Sequence, residues 1–438
     1  MRNTNTRRTV LERFGEDRQG SFAVITGAIA AVLMLSAGYA VNTAQLYNVK
    51  SSLGNALDAA VTSTARDLTT GKIETKDARG MVEIFLKANG DLDPVLGDKF
   101  VLDTLVVDQV ANTVEATAYV DVDLYFPLFG GSDFRRVRNV SASVYSDKTI
   151  EVAMMLDVTG SMGGQKINDL KEAAKNAVDA FLLGQDLAKP RVRVSIVPYA
   201  NAVNTGSLAN VVYAEKKFTT SEPPKLDDPK AASASSADDN CATERKGAQQ
   251  YTDASPYDAM VNRDYRLDFC PQAALKPLSS DIKALKKTIK DFQAEGHTGG
   301  HMGIQWSWYM LSPNWQDVLP KAAQPQDHDV EKVAKYAILM TDGEFNTAFA
   351  GVPKGGNTKN QPSLSRTHAE TLCAAMRDDE IEIFTVGFML NSGKTVLKNC
   401  ASEDTSSIKH YYDTSTGEEL NDAFLEIARN IERLALTK

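Results

Sequence analysis

Met154-Met155-Leu156-Asp157-Val158-Thr159-Gly160-Ser161-Met162 is the stretch on which the fold turns. It reads as a short apolar strand that stops on an acid, followed by two hydroxyls at alternate positions around a glycine. A strand of this apolar kind lies inside a sheet, and a carboxylate at its carboxyl end stands where open α/β sheets place their ligands. An interior carboxylate with neither a cation nor donors is costly. Oxygen ligands of this kind suit a hard cation such as Mg²⁺, with Mn²⁺ or Ca²⁺ as alternatives.

Two further segments offer the rest of such a site. Ala337-Ile338-Leu339-Met340-Thr341-Asp342-Gly343 is a second apolar strand closing on an acid, with a glycine to turn the chain. Gly296-His297-Thr298-Gly299-Gly300 sets a threonine in a glycine-rich loop ahead of a helical pattern. The candidate ligands are therefore Asp157, Thr159, Ser161, Thr298 and Asp342. A plainer reading has Asp157 cap the following helix and Asp342 make a turn.

Around these segments strand and helix patterns alternate. Strands are expected over Ile150–Leu156, Val192–Val197, Lys335–Thr341 and Ile381–Phe388, and helices over Gln165–Leu183, Leu364–Arg377 and Glu418–Leu434. Near-continuous apolar strands are expected when helices cover both faces of a sheet. The pattern predicts an α/β, doubly wound, Rossmann-like domain over 149–438. A long polar segment, about 201–278, interrupts it as an insertion, read either as a cover or partner surface for the site or as a plain surface excursion.

The D-x-T-G-S run, the loop threonine and the strand-ending T-D-G resemble the metal-ion-dependent adhesion site of von Willebrand factor type A domains. The resemblance implies direct coordination by Thr159, Ser161 and Thr298, with Asp157 and Asp342 acting directly or through water. It also implies a sixth ligand supplied by a carboxylate of a partner protein. One position departs from the usual D-x-S-x-S: its first hydroxyl is Thr159, which keeps the ligand oxygen.

The amino-terminal part has a different character. Arg2, Arg7, Arg8, Arg13 and Arg18 precede a segment that carries no charge from Gln19 to Val49. Its apolar centre, Phe22 to Val41, approaches the ~20 residues that cross a bilayer as a helix. Arginines before it and few cations after it predict a cytoplasmic amino terminus, residues 1–20, a transmembrane helix over 21–41, and export of the rest. A cleaved signal peptide is the competing reading, although the apolar run exceeds the usual ~7–15 residues. Residues 42–148 read as a helix continuing out of the bilayer, an amphipathic stretch from Thr75 to Lys87, and strands over Phe100–Val107, Val114–Phe126 and Val137–Tyr145, a small α+β module.

The arginine-rich start, Gly20-Ser21-Phe22-Ala23-Val24, and Ser52-Leu53-Gly54-Asn55-Ala56-Leu57-Asp58-Ala59-Ala60 resemble the amino-terminal region of Tad-type (Flp) pilus assembly proteins. Joined to the D-x-T-G-S domain, they resemble the TadG-like proteins across most of the chain. Ile25 stands where a prepilin would carry an acid after Gly20, so the likeness does not extend to prepilin-type cleavage. The resemblance implies a single-pass protein of the bacterial inner membrane with its bulk in the periplasm. It would bind a divalent cation and, through it, an acidic partner among pilus or secretion-machine components. An exported metal-dependent hydrolase and a released matrix-binding adhesin are the alternatives.

The net charge of −9 on 438 residues gives no basic face for nucleic acid. Cys241, Cys270, Cys373 and Cys400 all lie in the exported part, where disulfides persist. Four cysteines allow three pairings and the sequence does not choose among them. Because Cys241 and Cys270 share the insertion, Cys241–Cys270 with Cys373–Cys400 is the expected set, against a reading of Cys373 as a buried thiol. His297 and His301 straddle two glycines without a third ligand, which argues against zinc there. Trp306 and Trp308 cannot share one helical face, so one is expected partly exposed. Asp378-Asp379-Glu380 reads as a solvated corner. No hydrolase, Walker A or dinucleotide motif is present, and no base is spaced to activate Ser161, so an enzyme is not expected.

Overall fold

The structure, a computed structural model, describes residues 20–91, 99–126, 134–146, 148–214, 240–264, 269–353 and 356–437. The arginine cluster from Arg2 to Arg18 and the middle of the insertion, 215–239, lie outside the described residues. The chain divides into two compact units, Met1–Ala65 with Lys76–Ser143, and Arg66–Thr75 with Val144–Lys438.

The first unit is built on a long helix, α1, Gly20–Thr69. Its apolar early turns are long enough and apolar enough to cross a membrane. Val24, Ile29, Leu33 and Met34 are exposed there, whereas Leu53, Leu57, Ala60 and Val61 further along are fully buried. A second helix, α2, Ala78–Asp91, precedes a three-stranded sheet of β1, Phe100–Asp108, β2, Thr113–Asp123, and β3, Phe134–Val144, in the order β1-β2-β3. On β2 the alternate residues Val114, Ala116, Ala118, Val120 and Val122 are buried, the period-two signature of a strand with one covered face. Side chains of Asn42 and Gln45 reach from α1 to the backbone at the end of β2, at Phe126 and Asp123.

The second unit is a mixed α/β fold around a six-stranded, mainly parallel sheet. Its strands are β4, Thr149–Asp157, β5, Val192–Tyr199, β6, Lys276–Ser279, β7, Val333–Thr341, β8, Glu382–Phe388, and β9, Tyr411–Thr414. They lie in the order β6-β5-β4-β7-β8-β9. β5, β4, β7, β8 and β9 run parallel and β6 pairs antiparallel at the edge. β4 is central and buried almost throughout, so its residues enter two separate cores. Ile150, Val152, Met154 and Leu156 pack with α3, Gln165–Leu182, and α8, Gly417–Thr437. Ala153 and Met155 pack with α5, Gly300–Tyr309, and α6, Pro362–Asp378.

Three elements had no clear sequence signal. The edge strand β6 carries Pro277 and pairs irregularly with β5, so no apolar run marks it, and it lies inside the stretch read as an insertion. Helix α4, Ile282–Lys290, starts at an Asp281 cap whose carboxylate accepts the Ala284 N–H. Helix α7, Lys394–Cys400, is only seven residues long. Disulfides join Cys241 to Cys270 and Cys373 to Cys400, the set expected from the sequence.

Candidate metal centre

Asp157 is the last residue of β4 and Asp342 follows the last residue of the adjacent parallel strand β7. Parallel register therefore carries both acids to one rim of the sheet, at the carboxyl ends of the strands. Asp157 is fully buried and Asp342 nearly so. Donors hold Asp157 on both oxygens: Oδ1 accepts the Thr159 N–H at 2.9 Å, while Oδ2 accepts the Thr341 hydroxyl at 2.7 Å and the Tyr199 hydroxyl at 2.9 Å. Tyr199 stands beside Asp157 across the β4–β5 ladder.

Beyond Asp157 the chain turns back through a short helical turn, Gly160–Met162. That turn brings the Thr159 and Ser161 hydroxyls to 3.0 Å from each other. Ser161 then donates to Asp342 Oδ1 at 2.6 Å. Four of the five expected residues thus form one hydrogen-bonded cluster. Lys166, on α3, places its ammonium 2.8 Å from Asp342 Oδ2 with a quarter of its side chain exposed.

The fifth residue reaches the same rim by backbone pairing. Gly160 N–H donates to Gly296 O at 3.1 Å and Glu295 N–H to Val158 O at 3.0 Å. Two residues of chain span at most about 7 Å, so Thr298 lies close beyond that contact. Asn346 fixes Thr298 by accepting its N–H at 3.1 Å, and Thr298 O accepts the Asn346 N–H in return at 2.8 Å. Among the described residues no hydrogen bond joins the Thr298 hydroxyl to the other four. The loop needs its glycines: Gly296 has φ +82°, and a Cβ at Gly300 would run into the Phe345 ring.

The electrostatics are those of a pocket short of positive charge. Burial, and then the Asp342 charge, raise the Asp157 pKa, while hydrogen bonds from Thr159 and Thr341 pull it back. Burial and the Asp157 charge push the Tyr199 phenol well above its ordinary value, so it remains a proton donor. Asp157 has no ion-pair partner among the described residues. Two carboxylates and the Thr159 and Ser161 hydroxyls, with the Thr298 loop beside them, offer an all-oxygen donor set of the kind that suits a hard divalent cation. The partly exposed Lys166 ammonium pairs with Asp342 and leaves Asp157 without a cation among the described residues.

Tyr199, Thr341, Lys166 and Asn346 are parts of this arrangement that sequence reasoning missed. Thr341 was visible as the neighbour of Asp342. Tyr199 becomes visible only with the register of β5 against β4. Trp306 and Trp308, one of which was expected partly exposed, are both buried. Trp306 packs edge-on against Trp315 and Tyr309, and the Trp308 indole donates to Asp379 Oδ2.

A second polar constellation lies behind the Thr298 loop. His301 sits between Glu244 Oε2 at 2.8 Å and Ser365 Oγ at 2.9 Å. Glu244 Oε1 also accepts the Phe349 and Ala350 N–H groups. Burial pushes the Glu244 carboxyl up, but His301 and those two N–H groups outweigh it and hold it down to about 2. The order Glu–His–Ser has the shape of a hydrolytic relay, yet Ser365 is fully buried and no substrate carbonyl can reach it. It ties the segment around Glu244 to α5 and α6.

No protein-family model matches the chain, and no curated protein matches it. Among solved structures, a pilus adhesin from Lactobacillus rhamnosus GG is 11% identical, with a TM-score of 0.38, over 77% of this chain and 36% of that one. The vWF domain of a type V pilus tip protein from Porphyromonas gingivalis is 13% identical, with a TM-score of 0.37, over 66% of this chain and 97% of that one. A proximal thread matrix protein from the mussel byssus, described with a zinc-occupied MIDAS motif, is 14% identical, with a TM-score of 0.31, over 66% and 47%. The chain thus spans about a third of the adhesin. Likenesses this distant fix neither the architecture nor the activity of this chain.

Proposed function

We propose that this is a membrane-anchored binding protein, not an enzyme, whose second unit is a doubly wound von Willebrand factor A-type domain. It holds Mg²⁺, with Mn²⁺ or Ca²⁺ as alternatives, through Asp157, Thr159, Ser161, Thr298 and Asp342. The bound ion would supply a Lewis-acidic position open to a carboxylate of a protein partner. The observation that carries the reading is the single cluster formed by Asp157, Thr159, Ser161 and Asp342 at the ends of β4 and β7. Two buried acids without a cation repel, and a divalent ion turns the same pocket into an anion receptor. The exposed apolar turns of α1 support a single-pass anchor in the inner membrane, with residues 42–148 and the A-type domain in the periplasm. The disulfides suit that compartment. The partner in this reading is a component of a Tad/Flp-type pilus or its secretion machinery, which the protein would assemble or anchor, and the amino-terminal likeness to Tad-type proteins supports that choice.

The test is capture of the full chain from detergent-solubilised membranes with and without chelator. A partner retained with Mg²⁺, lost on chelation and lost again in Asp157→Ala supports the reading. A partner that stays bound through both treatments removes the metal from the function. Turnover of an ester or peptide substrate, abolished by Ser161→Ala, would favour the hydrolase instead.

A further inference from the structure

At the opposite end of the sheet a second set of metal-binding side chains converges. Asp253 comes from the segment between the cysteines of the first disulfide, His328 from the loop before β7, and Asp379 from the turn after α6. One ligand atom of each lies within 4.8 Å of the other two. Three distant segments supply these groups, so no local turn explains their meeting.

Each carboxylate is held by one oxygen only. Asp253 Oδ2 accepts the Ser312 hydroxyl and the Asn314 side-chain amide, the latter at 2.9 Å. Asp379 Oδ2 accepts the Trp308 indole N–H at 3.0 Å. Among the described residues the Oδ1 atoms accept no hydrogen bond, and neither acid forms an ion pair. Metal-binding carboxylates are oriented in this way, one oxygen fixed by outer donors and the other left for the ion. The nearby Lys335 ammonium is engaged elsewhere, by the Leu311 and Gln326 carbonyls and by Glu151. An imidazole beside two carboxylates separates this group from an ordinary acidic patch and sets its preference.

We propose that Asp253, His328 and Asp379 form a second metal site, selective for a first-row transition cation of which zinc is the best fit. One imidazole and two carboxylate oxygens leave a fourth, tetrahedral position for water, as at zinc sites. Mg²⁺ and Ca²⁺ prefer oxygen ligands alone and belong at the other end of the sheet. The ion would clip the segment carrying Asp253 to the α6–β8 turn, beside the buried Trp308.

The test uses the chelator-stripped full chain in detergent, dialysed against Zn²⁺ with excess Mg²⁺ present. One Zn²⁺ per chain is expected, with affinity lowered by at least ~10–100-fold in His328→Ala and in Asp379→Asn. Asp157→Ala should leave Zn²⁺ binding unchanged, so failure here is separable from failure of the Mg²⁺ site. His328 is exposed, so the metal-free melting temperature of His328→Ala should match that of the parent chain. Zn²⁺ that binds His328→Ala as tightly as the parent is adventitious, and that outcome, like no Zn²⁺ binding at all, overturns the proposal.

Discussion

Strand β4 carries a buried acid near each end, and the two are handled in opposite ways. Glu151, at the amino end, is paired with Arg193 from β5 and lies 3.7 Å from Lys335 on β7, both largely buried. Asp157, at the carboxyl end, meets hydroxyls and a second acid instead. Both acids have raised pKa values with burial as the first cause, but Lys335 and Arg193 oppose the shift at Glu151 whereas Asp342 adds to it at Asp157. Where the fold needs only a neutral interior, neighbouring strands bring the cations. Where it gathers acids and hydroxyls, Asp342 has the partly exposed Lys166 and Asp157 has no ion-pair partner among the described residues, so the proposed ion would supply the missing charge. That contrast is the physical content of the proposed function.

The largest effect should come from the self-sufficient end. Glu151→Ala leaves the Arg193 and Lys335 charges buried and uncompensated, which costs about 3–5 kcal/mol. Chemical denaturation of the full chain in detergent measures it. Asp157→Asn, measured in chelator, should cost clearly less, because losing the acid also relieves its repulsion with Asp342. Equal losses at the two positions would erase the distinction drawn here.

Next in size is the response to metal. Mg²⁺ at ~100 times its dissociation constant should stabilise the chain by about 2.7 kcal/mol, raising its melting temperature, and Asp157→Asn should remove the shift. Glu151 variants that still fold should keep the shift, since the two ends act independently. A melting temperature indifferent to Mg²⁺, Mn²⁺ and Ca²⁺ would leave the rim without its proposed ion.

Acid should separate the ends further. A metal-free folded chain with a raised Asp157 pKa holds a proton that the unfolded chain has already released. Its stability therefore falls as pH rises from the ordinary aspartate range towards the raised value. Mg²⁺ must displace that proton, so its affinity falls as pH drops through the raised Asp157 value, by about tenfold or 1.4 kcal/mol per pH unit. Titration of the Mg²⁺ shift between neutral and acid pH checks the slope. An affinity flat down to the ordinary aspartate range would mean that Asp157 carries no proton to displace.

How much of this was legible depends on which interactions are local. Asp157, Thr159 and Ser161 were readable because the strand end and the turn place them within five residues. Asp342 was readable because a parallel strand with the same apolar run must end at the same rim. Tyr199 and Lys166 were not, since one depends on the register of β5 and the other on the face that α3 turns to the rim. The Asp253–His328–Asp379 group was further out of reach. Asp378-Asp379-Glu380 looks like a solvated corner until Trp308, on a wholly buried helix, is seen donating to Asp379. Edge strand β6 escaped for the opposite reason, being too short and too polar to show a period.

The smallest effect tests Lys166, a cation that the chain itself brings to the rim. Lys166 reaches Asp342 from α3 but is a quarter exposed, unlike the nearly buried Lys335 that serves Glu151. A partly exposed pair of this kind contributes about 0–1 kcal/mol, so Lys166→Gln should change stability in chelator by no more than that. The ammonium and a divalent ion compete for the same carboxylate, so the substitution should tighten Mg²⁺ binding. Isothermal titration of parent and variant gives the sign directly. Weaker Mg²⁺ binding in Lys166→Gln would mean that the lysine helps to build the site, and the carboxyl end of β4 would then resemble the amino end more than its acids suggest.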